Sequence, residues 1–160
     1  MNLRSTFLLG VVLFASISSA AMAADNPLDG KWKINDAKSN WSNGKFPPNM
    51  SLTIDLKVEG NVLKYYSVND TMKDKPGMVS HFDVPMDGKP HPFPDSGRFN
   101  MVQVRSIGPN QYEVLEMKDQ DVIVGAWWWV SADGKHLVRR GIGRAADGVS
   151  KEYEEFFDKQ

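Results

Sequence analysis

Chemistry in this chain would start from three histidines, His81, His91 and His136. His81 stands two residues before Asp83, and side chains at i and i+2 of a strand share a face. An imidazole beside an orienting carboxylate is the arrangement of a general base. With a tyrosine, and with Arg105 holding an anion, that pair would serve a cofactor-independent lyase, isomerase or hydrolase acting on a small aromatic substrate. Against this, Ser80, Phe82 and Val84 form the alternate face of the same stretch, and their apolar members would turn inward and leave His81 and Asp83 in water. His91 lies in the proline-bound stretch KPHPFP, and His136 adjoins a turn. No two histidines have ligand-like spacing and no carboxylate cluster accompanies them, so no metal is expected. No serine stands in a nucleophile motif and no glycine-rich loop fits a phosphate, so no cofactor is expected either. The chain has no cysteine, which removes disulfides, thiolate ligands and a thiol nucleophile together.

Binding chemistry has better material. Residues 124–134 read VGAWWWVSADG, with Trp127, Trp128 and Trp129 running into an Asp-Gly turn. The even face, Val122, Val124, Ala126, Trp128 and Val130, has no polar member, whereas Asp121 and Ser131 bracket the odd face. The clean face should point inward. Trp128 then either fills the core or lines a cavity, where a rigid indole with one N–H donor suits a flat apolar ligand. Trp127 and Trp129 turn outward. Such indoles suit a subunit interface, as in a homodimer, a docking patch or a stacking platform for a sugar ring. The preferred alternative is that residues 36–49, with Trp41 and Phe46, fold over them. A two-residue Asp133-Gly134 loop sets Trp128 opposite Arg139 and Trp127 opposite Arg140; a three-residue loop sets Trp127 opposite Arg139. Either places an arginine beside an indole, a stack worth about 0.5–2 kcal/mol depending on desolvation. Tyr65 and Tyr66 fall on opposite faces, and both are candidates for a binding wall. Arg105 shares a face with Phe99, Met101, Gln103 and Ile107. Were that face inward, Arg105 would need a carboxylate from Glu113, Glu116 or an acidic ligand. Were Val102 and Val104 inward, Arg105 would be a surface residue.

The elements that must position these residues are strands. Leu52, Ile54, Leu56 and Val58 alternate with polar neighbours, the pattern of a half-buried strand. Further runs follow at Val62–Val68, Met78–Met86, Phe99–Ile107, Tyr112–Met117, Val122–Ser131 and Leu137–Ile142, punctuated by Asp-Gly, Glu-Gly-Asn and Gly-Pro-Asn. Lys31–Asn35 opens the series. The last segment, VSKEYEEFFDK, fits both a strand face and helical spacing, and is assigned to the closing strand because strands precede it. Residues 36–49 and 87–98 lack a strand pattern and are expected to lie at a barrel mouth or across one end. Together this is an all-β chain of about eight to ten strands, enough to close a single antiparallel up-and-down barrel.

The N-terminus carries Arg4, an apolar run from Phe7 to Ile17 and the small-x-small triplet Ala21-Met22-Ala23, the anatomy of a secretory signal peptide. Cleavage after Ala23 leaves 160 − 23 = 137 residues as one domain, 24–160, with charge 18 − 20 = −2. No later run is long and apolar enough for a membrane-spanning helix, and no basic stretch points to nucleic acid. Export without cysteine points to a bacterial periplasmic or secreted protein.

Gly30-Lys31-Trp32, with GKWKINDAKSNW at 30–41, DGKPHPFPDSG at 87–97 and VSADGKHL at 130–137, resembles a group of small secreted bacterial lipocalin-like proteins with calycin-type barrels. The resemblance covers most of residues 28–160. It implies an up-and-down barrel with Trp32 packed over the closed end and a late arginine, Arg139, Arg140 or Arg144, covering that indole. The Thr-Asp-Tyr element, the paired cysteines and a helix before the last strand, all usual in lipocalins, are absent. The expected function is binding of a small apolar or aromatic molecule in the barrel. The alternative is the cofactor-independent enzyme of His81 and Asp83 in the same cavity.

Overall fold

The computed structural model describes residues 26–93, 97–145 and 147–160; the expected signal peptide, 1–23, lies outside the described residues. Ten strands are present among them: β1 (Gly30–Trp41), β2 (Leu52–Glu59), β3 (Val62–Asn69), β4 (Met78–Pro85), β5 (His91–Pro92), β6 (Met101–Gly108), β7 (Gln111–Lys118), β8 (Asp121–Val130), β9 (His136–Arg144) and β10 (Ser150–Lys159). They form one sheet in the order β4-β3-β2-β1-β10-β9-β8-β7-β6-β5, with every pairing antiparallel. Neighbours in sequence are neighbours in the sheet, and the β1–β10 ladder joins first strand to last. This is the expected up-and-down barrel. It has one seam, between β4 and β5, where Phe82 and Phe93 meet edge to face with ring centroids 5.3 Å apart.

Strict alternation builds the interior. Leu52, Ile54 and Leu56 of β2 are buried while Thr53, Asp55 and Lys57 are exposed. Val102 and Val104 of β6, Tyr112 and Val114 of β7, and Val124, Ala126, Trp128 and Val130 of β8 face inward in the same way. The Asp133-Gly134 turn sets Trp128 opposite Arg139 and Trp127 opposite Arg140, the register of the two-residue loop. Gly134 has φ +68°, which an L side chain adopts only with strain. β10 is a strand, and its Tyr153, Glu155 and Phe157 share the inward face.

One end is plugged. The Trp32 indole is fully buried and its Nε1–H donates to the Leu28 carbonyl at 2.8 Å. Asn26 Oδ1 accepts from the Leu28 N–H at 3.0 Å and from the Tyr112 hydroxyl at 3.1 Å, so residues 26–28 are stitched beneath the strands. The cation over Trp32 is Lys159, its ammonium 5.1 Å from the ring centroid. This corrects the expectation of an arginine there. Arg139 lies over Trp128 and Phe157 instead, Arg140 pairs with Glu154 on the outer face, and Arg144 is exposed.

A second correction concerns residues 36–41, which continue β1 rather than forming a loop. The alternation there is obscured by a register shift between Asn35 and Asn40. Ser39 occupies the bulge: its hydroxyl donates to the Asn35 carbonyl at 2.7 Å and accepts the Phe156 N–H at 2.9 Å. Residues 87–93 run beside β6 as a short edge, ending in Phe93, which is buried against Phe82 and Phe99.

The plug should dominate stability. Trp32→Ala is expected to cost about 3–5 kcal/mol in urea unfolding, the range for truncating a buried large aromatic. Trp127→Ala, at an outward position, should cost less than about 1 kcal/mol. Similar losses from both would contradict the assignment of faces.

Candidate functional site

Above the plug the barrel is hollow. A cavity of about 330 Å³ is walled by Val114, Glu116, Val124, Ala126 and Trp128 on one side and by Arg139, Gly143, Tyr153 and Glu155 on the other. Trp41, Met50, Asn69, Met78, Arg98 and Lys151 surround it at the strand ends opposite Trp32. That end is the mouth. The Trp41 ring meets Phe46 edge on at 5.4 Å, and the Lys151 ammonium lies over Trp41. Residues 41–46 therefore pack at the mouth. Asn40 and Ser42 border an outer groove with Trp127, which still stays 40% exposed, so the expected cover over the outer indoles is made only in part.

The floor is an aromatic and ionic cluster. Arg139 Nη2 donates to Glu155 Oε2 at 2.6 Å, and its Nη1 donates to the Tyr65 hydroxyl at 3.4 Å. The guanidinium carbon lies 5.7 Å from the Trp128 ring centroid and 4.9 Å from that of Phe157. Tyr65 stacks on Phe82 at 4.6 Å with an interplanar angle of 3°, and tilts against Trp128 at 6.1 Å. Glu155 Oε1 also accepts the Trp41 indole N–H at 3.3 Å, which ties the floor to the mouth. Burial opposes the charge on Arg139, but the adjacent Glu155 carboxylate outweighs it and holds the guanidinium above its ordinary range.

The walls carry two less engaged polar groups. Glu116 follows Tyr112 and Val114 on the inward face of β7, and Tyr153 faces inward from β10. Among the described residues, neither the Glu116 carboxyl nor the Tyr153 hydroxyl has a hydrogen-bond partner. Burial pushes the Glu116 carboxyl up to about 7, against the pull of Arg139 and Arg98. Burial likewise raises the Tyr153 phenol. Gly141 and Gly143 face inward on β9, and the Tyr153 hydroxyl packs against the bare backbone there: a methyl on Gly141 would strike the Gly125 carbonyl and come within 2.9 Å of the Tyr153 oxygen.

Of the residues singled out in the sequence, the structure brings Trp128, Tyr65 and Arg139 together: Trp128 and Arg139 line the cavity, and Tyr65 packs behind them, bordering the groove on the other side. The others lie on the outer face. His81 and Asp83 border a surface groove with Tyr65, Tyr66, Asp55 and Lys64, and do not line the cavity. The acid–base pair of the enzyme alternative is thus outside the barrel because Phe82 and Val84 take the interior positions of β4. Arg105 also faces out, since Val102 and Val104 face in; it makes a two-pronged bond to Glu113 at 2.8 and 3.0 Å. Trp127 and Trp129 are on the outer face of β8. Glu116, Glu155 and Tyr153 were not singled out as lining. Their signal was an acid or phenol set two residues from buried aromatic or aliphatic side chains.

No family model matches the chain, and no curated protein is similar to it in sequence. Solved structures are similar in fold. A fatty acid transporter superposes with a TM-score of 0.56 at 11% identity, over 83% of this chain and 96% of that one. The zebrafish ileal bile acid-binding protein, complexed with cholic acid, gives 0.56 at 11% identity over 84% and 99%. An extracellular fatty acid binding protein gives 0.56 at 14% identity over 85% and 98%. The chain has a lipocalin-like antiparallel β-barrel fold.

Glu116 makes stability depend on pH. Its folded value near 7 lies above the ordinary 4.5, so the folded state gains protons relative to the unfolded chain in that window. Stability is therefore full below about pH 4.5 and declines as pH rises through about 7. The groups facing it are Arg139, Arg98, Glu155 and Tyr153. Glu116→Gln should flatten this decline, with the variant more stable than wild type by about 1–3 kcal/mol at pH 8.5 and near parity at pH 4.5. A constant difference across thermal melts from pH 4 to 9 would refute the titration.

Proposed function

We propose that the chain is a periplasmic or secreted binding protein that holds a small apolar or aromatic molecule in its barrel. The observation that carries this reading is the cavity of about 330 Å³, open at one end and floored by Trp128 and Arg139, with Tyr65 packed behind them. That volume is in the range of small-molecule sites, about 300–1,000 Å³. Val114, Val124, Ala126, Met50 and Met78 give it apolar walls, and the few polar groups are suited to orient a ligand. Fatty acid and bile acid carriers among the proteins of the same fold support the ligand class. The N-terminal segment supports the compartment, as does the absence of cysteine.

Two measurements test this. Titration with N-phenyl-1-naphthylamine, a neutral apolar fluorophore, should give saturable binding. Trp128→Ala should weaken it at least about tenfold, and Trp129→Ala should change it by less than about twofold. Equal effects, or no saturation with any apolar probe, would remove the carrier reading. Independently, mass spectrometry of the protein recovered after export should find a mature chain beginning near Ala24; retention of Met1 to Ala23 would overturn the compartment.

A further inference from the structure

The cavity's polar groups bear on what its ligand must offer. Arg139 would be the obvious seat for an acid, but it is already engaged. Glu155, 5% exposed, accepts from it at 2.6 Å, and Tyr65 takes a second N–H. The Arg139 Nε is wholly buried and has no partner among the described residues, so it is not presented to the cavity. An incoming carboxylate would have to displace Glu155 and leave that carboxylate buried without its cation, a strongly unfavourable exchange. Of the other cavity cations, Lys151 lies over the Trp41 ring, and Arg98 donates to the Arg144 carbonyl at the mouth.

Glu116 and Tyr153 present the opposite situation. Both line the cavity, and neither side chain has a hydrogen-bond partner among the described residues. Both are half-buried, with polar atoms open to the cavity instead of sealed within protein, and so are available to water or to a ligand. We infer that the cavity takes an amphipathic molecule whose polar end is a hydrogen-bond donor, an alcohol or an amine, seated on the Glu116 carboxyl with the Tyr153 hydroxyl as second contact. The apolar remainder lies against Trp128 and the aliphatic wall. Free carboxylic acids are disfavoured, because the available partner is itself an acid. The inference rests on the carrier reading and specifies its ligand.

The test uses three compounds with one chain: 1-decanol, decylamine and decanoate, each titrated into the full mature protein by calorimetry at pH 7.5. Decanol and decylamine should bind at least about tenfold more tightly than decanoate, the equivalent of one well-made hydrogen bond. Glu116→Leu should bring the three within about threefold of one another, and Tyr153→Phe, an isosteric change that keeps the fold, should narrow the gap partway. The wild-type ranking needs no variant, so it stands even where Glu116→Leu fails to fold. Decanoate binding most tightly, or an unchanged ranking in Tyr153→Phe and a folded Glu116→Leu, overturns the head-group assignment while leaving the carrier intact. If none of the three binds and the neutral fluorophore does not either, the carrier reading falls and this inference falls with it. An alcohol preference without an amine preference identifies a neutral donor as the partner, and the reverse identifies a cation.

Discussion

The interior of this barrel is organised around the ion pair of Arg139 and Glu155. The two charges lie deep among aromatic rings, where removing one partner strands the other at a cost of about 3–5 kcal/mol. Each is therefore surrounded by groups that hold it: Trp128 and Phe157 face the guanidinium, Tyr65 accepts from it, and the Trp41 indole N–H donates to the carboxylate. These contacts link β1, β3, β8, β9 and β10 at one level. Beneath that level the side chains interlock around Trp32. Above it they do not meet, and the cavity begins. The pair works as a partition between a packed half and a hollow half.

The partition also sets the electrostatics of the hollow half. Arg139 draws the Glu116 carboxyl down while Glu155 pushes it up, and burial outweighs the pull that remains. Its raised carboxyl follows, as does its availability to a visiting molecule. The same strand that supplies Glu116 supplies Glu113 to the outer face, where the carboxylate is bound to Arg105. Two acids three residues apart on one strand thus have different chemistry because the pleat sends them to opposite sides.

Much of the barrel was legible because alternation is a strong signal wherever one face is clean. Val122 to Val130 shows it, and so Trp128 could be read as the inward indole, whereas the turn left two registers open until the structure set Trp128 opposite Arg139. The same rule turned His81 and Asp83 outward through Phe82 and Val84. It failed where both faces are polar. In QYEVLEMK and SKEYEEFFDK an inward acid looks like a solvated one, since the sequence does not reveal which arginine will face it across the barrel. The extension of β1 to Trp41 was hidden for a different reason: the bulge at Ser39 resets the period, and a side-chain hydroxyl replaces the missing ladder bonds. The partner of Trp32 was misassigned by analogy, because Lys159 reaches that indole from the far end of the chain.

The seam between β4 and β5 gives the barrel the mechanics of a split ring. A ring of continuous hydrogen-bonded ladders resists dilation, because widening it at any point lengthens bonds all the way round. Here the sheet ends at β4 on one side and β5 on the other, and the rings of Phe82 and Phe93 bridge the gap. Contact between aromatic rings has no fixed bond length and tolerates sliding. The girth of the hollow half is therefore a soft coordinate, set by how far those two rings slip past each other, while the closed end stays rigid through the stitching of Asn26, Leu28 and Tyr112.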